Sequence, residues 1–288
     1  MGRNAADKHQ ARLRDSITWC RDEDSGSMIV SGSHGGLYAA YRAAAAGVRA
    51  VLFNDAGVGK DEAGVGGLLY LEELGVPAAA VDTWSARIGD AVDTLERGRV
   101  SHVNAPAARL GCAVGERASD AVLRLQRAER YGGTPPPLQE GRTTLRHRAE
   151  GPPVRLLDSG ALVRPDDAGA LLVIGSHGGL PGRGPQSALR ADARLAIFHD
   201  AGVGIDQAGI GRLDALQQRG IAAATVAADS ARIGDAASLY DTGVLSHVNG
   251  AARALGAAPG QNVRDLLAPY LETPGTDAAT ARDHTEEA

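Results

Sequence analysis

Two Ser-His-Gly-Gly turns, Ser33-His34-Gly35-Gly36 and Ser176-His177-Gly178-Gly179, carry the groups in this chain best suited to moving a proton. An imidazole changes charge near neutral pH, and flanking glycines let backbone and ligand approach each other closely. Further text is shared downstream. Asp55-Ala56-Gly57-Val58-Gly59 returns as Asp200-Ala201-Gly202-Val203-Gly204, and Ser85-Ala86-Arg87-Ile88-Gly89-Asp90 as Ser230-Ala231-Arg232-Ile233-Gly234-Asp235. Ser101-His102-Val103-Asn104 is matched by Ser246-His247-Val248-Asn249. The order is kept while most intervening residues differ, so the chain reads as an internal duplication whose agreeing polar positions mark a site.

His34 and His177 are expected as acid/base groups. Asp55 and Asp200, each following an apolar run, would orient or assist them. Ser85 and Ser230 qualify as nucleophiles if a histidine reaches them, although neither lies in a Gly-x-Ser-x-Gly elbow. Arg87 and Arg232 suit a substrate carboxylate, with ion pairs to Asp90 and Asp235 as the competing role. Ser33, Ser176, Gly35, Gly178, Gly57 and Gly202 are read as substrate contacts, the glycine-block amides stabilising developing oxyanion charge. His102, His247, Asn104 and Asn249 complete the set, with helix capping and packing as their competing role. His199 stands where the first repeat has Asn54, which points to altered chemistry in the second.

These roles describe a cofactor-independent hydrolase or lyase acting on a small polar molecule that bears a carboxylate or amide. The alternative is a non-catalytic small-ligand binding or regulatory protein, which implies no convergence of base and nucleophile; a metal-dependent hydrolase is the second alternative. No cofactor or metal is assigned, because the chain lacks a P-loop, a full dinucleotide fingerprint and any His-Glu-x-x-His or Cys-rich spacing. Cys20 and Cys112 do not recur between repeats and suggest neither a disulfide framework nor a metal set. The enzyme reading requires His34, Asp55 and Arg87, with their counterparts, to meet in a shared pocket.

The elements that must position these groups follow from the apolar runs. Met28 to Ser31 and Leu171 to Ile174 read as buried strands ending in the histidine turns, and Ala50 to Asn54 and Leu195 to His199 as the next strands. Asp61 and Asp206 are expected to cap helices carrying Leu68 and Leu71, or Leu213 and Leu216, which Gly75 and Gly220 end. Pro77 to Val81 and Ile221 to Val226 read as third strands. Leu37 to Ala46 is helix-compatible, whereas Pro181, Gly182, Gly184 and Pro185 oppose a helix in the second repeat. The expected fold is α/β: two tandem Rossmann-like three-layer units with mainly parallel sheets, packed about a pseudo-twofold axis. Ligands in such sheets collect at the carboxyl ends of the strands. The units span 1–130 and 157–271, joined by a Pro/Gly-rich linker at 131–156 and followed by a flexible tail at 272–288.

A strand ending Ser-His-Gly-Gly, then a strand ending Asp-Ala with a Gly-rich turn, a helix and another strand, resembles the His and Cys blocks of caspase-like peptidases. The resemblance covers roughly Met28 to Val81 and Leu171 to Val226. It implies an open α/β sheet with ligands at its carboxyl edge. The position of that family's nucleophilic cysteine is Gly57 in one repeat and Gly202 in the other, so the peptidase activity does not carry over.

Composition sets the outer bounds. With 288 residues and 43% hydrophobic content the chain can bury a sizeable core, and with 3% aromatics that core must be aliphatic, Phe53 and Phe198 occupying equivalent places. A net charge of -5 argues against nucleic-acid binding through a basic surface. No apolar run approaches membrane-span or signal-peptide length, so no membrane partner and a cytoplasmic location are expected. The expected partner is a small molecule, and a homodimer is left open.

Overall fold

Short strands in which every second residue is apolar on each face assemble two sheets. The computed structural model describes residues 11–182 and 184–272. In the first sheet β1 (Arg12–Arg14), β2 (Met28–His34), β3 (Ala50–Asn54), β4 (Ala78–Val81) and β5 (Val100–Val103) lie side by side in chain order. β1 to β4 are parallel and β5 runs antiparallel to β4. The second sheet contains β6 (Arg142–Thr144), β7 (Val154–Leu157), β8 (Leu171–His177), β9 (Leu195–His199), β10 (Ala222–Val226) and β11 (Leu245–Val248), again in chain order. Its four inner strands are parallel, and β6 and β11 are antiparallel to their neighbours. The molecule is thus a mixed α/β protein with two mostly parallel sheets. β6 lies inside the span read as a linker, and the tail beyond residue 272 lies outside the described residues.

Nine helices among the described residues cover the sheet faces: α1 (Leu37–Ala45), α2 (Gly67–Glu73), α3 (Ala91–Arg97), α4 (Ala105–Arg109), α5 (Ala118–Leu125), α6 (Arg212–Gln218), α7 (Ala236–Thr242), α8 (Gly250–Ala254) and α9 (Val263–Leu267). Ile29, Val51, Phe53 and Ala80 point to α1 and α2, while Val30, Leu52, Ala79 and Val81 point to α3 to α5. In the second half Ile174, Ala196 and Phe198 face α6, and Val173, Ile197 and Ala224 face α7 to α9. Where α1 stands in the first half, the second has only a short 3-10 turn, Pro185–Ala188, as its prolines and glycines dictate.

The expected helix caps at Asp61 and Asp206 do not form. Both residues have left-handed backbone, φ 54° and 55°, and α2 and α6 begin later, at Gly67 and Arg212. The cause is the preceding glycine block. Ala56, Gly57, Val58 and Gly59 all have positive φ (52°, 72°, 62° and 70°), as do Ala201 to Gly204 (51°, 71°, 64° and 68°). Each non-glycine residue in that conformation costs about 1–2 kcal/mol. The Asp55 carboxylate offsets this by accepting from Gly57 N–H (2.9 Å) and Thr83 N–H (2.9 Å), and Val58 N–H donates to the Asp55 carbonyl (2.8 Å).

The two turns meet each other. A Cβ built on Gly57 would lie 3.0 Å from Gly202 Cα, and one on Gly202 would lie 3.1 Å from Gly57 Cα. Beside them the halves exchange reciprocal hydrogen bonds, Lys60 N–H to the Ala228 carbonyl (2.8 Å) and Ile205 N–H to the Thr83 carbonyl (3.0 Å). Ala56, Ile88, Ala201 and Ile233 form an apolar cluster at the contact. Further out, Arg232 pairs with Asp61 (3.3 Å) and Arg87 with Asp206 (3.6 Å).

This contact sets an expectation for substitution. Gly57→Ala is expected to cost about 2–4 kcal/mol, from left-handed backbone strain plus overpacking against Gly202. Gly75 is also left-handed (φ +73°), but its built Cβ meets nothing within 4 Å, so Gly75→Ala should cost only about 1 kcal/mol. Denaturant titration of the two variants measures the difference, and equal losses would remove the contact from the account.

Candidate functional site

Glycines at the ends of β2 and β8 turn the histidines out of the sheets. A Cβ at Gly32 would lie 2.6 Å from Asp90 N and 2.8 Å from the Asp15 carbonyl; one at Gly175 would lie 2.6 Å from the Asp158 carbonyl and 2.8 Å from Asp235 N. The strand therefore runs tight against these loops, its register shifts between Val30 and His34 and between Val173 and His177, and the next residues emerge at the carboxyl edge. Ser33, His34, Ser176 and His177 line one cavity of about 590 Å³ between the halves. Each imidazole also reaches the opposite half: a Cβ at Gly234 would lie 3.5 Å from His34 Cε1, and one at Gly89 would lie 3.5 Å from His177 Cε1.

The environment fixes the protonation of His34. Gly36 N–H donates to its Nδ1 (3.1 Å), so the neutral ring carries its proton on Nε2. Burial, helped by the neighbouring His199, pushes its pKa down to about 4. Burial likewise holds His177 well below the ordinary range, with Arg212 and His34 adding to the effect. His177 Nδ1 is buried and has no hydrogen-bond partner among the described residues. At neutral pH His34 is therefore a hydrogen-bond donor; to act as a base at Nε2 it would need its proton on Nδ1, facing the Gly36 N–H.

The remaining polar residues chosen from the sequence lie elsewhere or have their groups engaged. Asp55 is occupied by backbone N–H groups as described, and Asp200 accepts from Gly202 N–H (2.9 Å). Burial raises the Asp55 carboxyl, against the pull of its Gly57 and Thr83 hydrogen bonds. Ser85 donates to the Asp82 carbonyl (2.7 Å) and accepts from Arg99 N–H (2.8 Å); Ser230 does the same with Ala227 (2.8 Å) and Val244 (3.0 Å). Arg87 is paired to Asp93 (3.1 Å) and reaches Asp206, so His34, Asp55 and Arg87 do not meet. Arg232 does line the cavity but is paired to Asp235 (2.7 Å) and Asp61.

Asn104 and Asn249 cap α4 and α8, each accepting from two backbone N–H groups and donating to two carbonyls. His102 Nδ1 lies 3.0 Å from Ser101 Oγ on β5, and His247 sits on β11 with Nδ1 buried and unpartnered. Gly35 and Gly178 bond through N–H to the Asn54 and His199 carbonyls (3.0 and 2.7 Å). The glycine-block amides are also spent: Gly59 N–H bonds Gly57 (2.6 Å) and Gly64 N–H bonds Val58 (2.9 Å).

His199 does not bring new chemistry to the second half. Its Nδ1 accepts from Ala201 N–H (3.0 Å) and its Nε2 faces the Ala231 carbonyl (3.1 Å). Asn54 makes the same two connections, Oδ1 to Ala56 N–H (2.9 Å) and Nδ2 to the Ala86 carbonyl (3.1 Å). One ring and one amide satisfy the same pair of backbone groups.

Two cavity residues were not singled out from the sequence. Arg212, 7% exposed, occupies the position of Gly67, where a Cβ would lie 2.6 Å from the Ala40 side chain of α1. With no such helix among the described residues of the second half, its side chain fills the space: Nε donates to the Gly179 carbonyl (3.0 Å), Nη1 to the Ala188 carbonyl, and Cζ lies 5.0 Å from the Phe198 ring centre. Burial lowers it to about 10, which leaves it cationic at neutral pH. Glu140, in the connection before β6, reaches the cavity beside the Tyr38 and Ser159 hydroxyls, and burial raises its carboxyl. Agreement between the two halves selects against Arg212, and Glu140 has no counterpart by which to find it. Among the described residues no three His, Cys, Asp or Glu side chains converge as metal ligands, and no helix is long and apolar enough to cross a membrane.

No protein-family model, curated protein or solved structure matches the chain.

The depressed histidines make stability depend on pH. With His34 at about 4 when folded against about 6.5 when unfolded, the unfolded chain binds more protons between these values. Stability is in place above about pH 6.5 and falls as pH drops toward 4. Urea denaturation across this window should show the decline, and His34→Gln should make it shallower; an unchanged slope would contradict the assignment.

Proposed function

We propose that the chain is a tandem duplication of one Rossmann-like α/β unit, closed about a pseudo-twofold axis between Gly57 and Gly202, and that the cavity between the units binds a small polar molecule. The observation that carries this is the pairing of His34 and His177, with Ser33 and Ser176, around one volume of about 590 Å³. That volume falls within the usual range of small-molecule sites. A neutral imidazole N–H at His34 suits a ligand carbonyl, amide or hydroxyl. Binding is favoured over hydrolysis because the residues chosen as nucleophiles and as partners of the histidines, Ser85, Ser230, Asp55 and Asp200, engage backbone groups instead.

One observation favours a catalytic second reading. Glu140, raised by burial, shares the cavity with the two imidazoles, and a carboxyl facing neutral N–H donors is an arrangement for proton transfer next to a carbonyl, the chemistry of a cofactor-independent lyase. Under this reading Glu140→Gln loses turnover of an identified substrate by at least a hundredfold with its binding intact.

Thermal denaturation against a panel of small amides, polyols and carboxylates tests the binding reading. A ligand at a hundred times its Kd stabilises by about 2.7 kcal/mol, a shift of several degrees. Ala161→Trp, which puts an indole at the cavity wall, should abolish that shift. If no compound stabilises the protein, or if the Trp variant responds as the parent does, the cavity is not the site.

A further inference from the structure

Arg212 is a buried cation with no carboxylate partner among the described residues. Among the other ionisable groups at the cavity, Glu140 lies beside the Tyr38 and Ser159 hydroxyls, and burial raises its carboxyl. Asp158 accepts from Ala236 N–H (3.0 Å) and Gly141 N–H (2.5 Å), and Asp235 accepts from Ser238 N–H (2.8 Å) and holds Arg232. Arg190 lies at the exposed rim, donating to the Ala161 carbonyl (3.2 Å). An isolated buried charge is costly to keep, and carbonyl oxygens only partly compensate it. The protein nevertheless holds this guanidinium rigidly, stacked on Phe198 and tied at Nε and Nη1, with Nη2 having no partner among the described residues.

We infer that the cavity takes a small monoanionic carboxylate, bound at Arg212, with its polar end turned toward His34 and His177. This rests on reading the cavity as a ligand site. With Nη1 donating to the Ala188 carbonyl, Nη2 keeps its N–H groups for a ligand, and a guanidinium is the side chain that best holds a carboxylate. A dianion such as phosphate fits less well, because its second charge shares the cavity with the Asp158, Asp235 and Glu140 carboxyls. The residue equivalent to Arg212 is Gly67, so the chain has one such anchor and binds one carboxylate in one orientation. The loss of α1 from the second half is what opens the room for it.

Calorimetry and thermal denaturation with acetate, pyruvate, benzoate, inorganic phosphate and neutral acetamide, at ionic strength held constant with sodium chloride, test the inference. At least one of the three carboxylates should bind one per chain and raise the midpoint, with phosphate at least tenfold weaker. Arg212→Met should lose tenfold or more in affinity, and Arg212→Lys should fall between. If the Met variant does not fold, the Lys variant decides: weakened binding supports the inference and unchanged affinity overturns it. Unchanged affinity in Arg212→Met, tighter binding of phosphate, or no response to any carboxylate also overturns it. Stabilisation by acetamide alone would overturn it while leaving the cavity a ligand site.

Discussion

The contact between two left-handed turns at Gly57 and Gly202 is the constraint from which the rest of the structure follows. Four consecutive residues of positive φ on each side, including the β-branched Val58 and Val203, are held in a region that L-residues avoid. The carboxylates of Asp55 and Asp200 and the backbone bonds of the turns keep them there. With no side chain on either glycine, the two backbones approach to contact, and the carboxyl ends of β2 and β8 are brought to one place. The loop of Gly234 then becomes a wall for His34 and that of Gly89 a wall for His177. Neither half forms the cavity alone.

Most polar residues common to the two halves build this arrangement and do not line the cavity. Asn104 and Asn249 tie a helix start to the sheet, Ser85 and Ser230 close the turn before α3 or α7, and Asp55 and Asp200 tie down the glycine blocks. Buried backbone groups in such loops must find partners, and a side chain that satisfies two at once is hard to replace. The Asn54 and His199 pair shows the rule from the other side: the residue type changes while the two hydrogen bonds stay.

The strands and the missing helix of the second half were legible in the sequence, because alternation, proline and glycine act locally. So was the placement of His34 and His177 at strand ends. The delayed starts of α2 and α6 were not, since Asp61 and Asp206 look like caps until the left-handed path before them is known. Agreement between the two halves also conflates two pressures, packing and chemistry, and it favours the first. It pointed to Arg87, which is consumed by Asp93, and passed over Arg212, whose position depends on a helix absent from one half only. Glu140 was read as linker because its burial depends on Tyr38 and Ser159 in opposite halves.

Two imidazoles from opposite halves line one cavity, and His34 stands there as a neutral donor. That depends on Gly36 N–H claiming His34 Nδ1 and on an enclosure that resists a positive ring. Nitrogen NMR of protein labelled with ¹⁵N-histidine reads both properties at once. The account predicts that at pH 7 His34 has a proton on Nε2 and a bare Nδ1, and that it gains its second proton only near pH 4. A proton on Nδ1, or titration near the ordinary value of about 6.5, would contradict it.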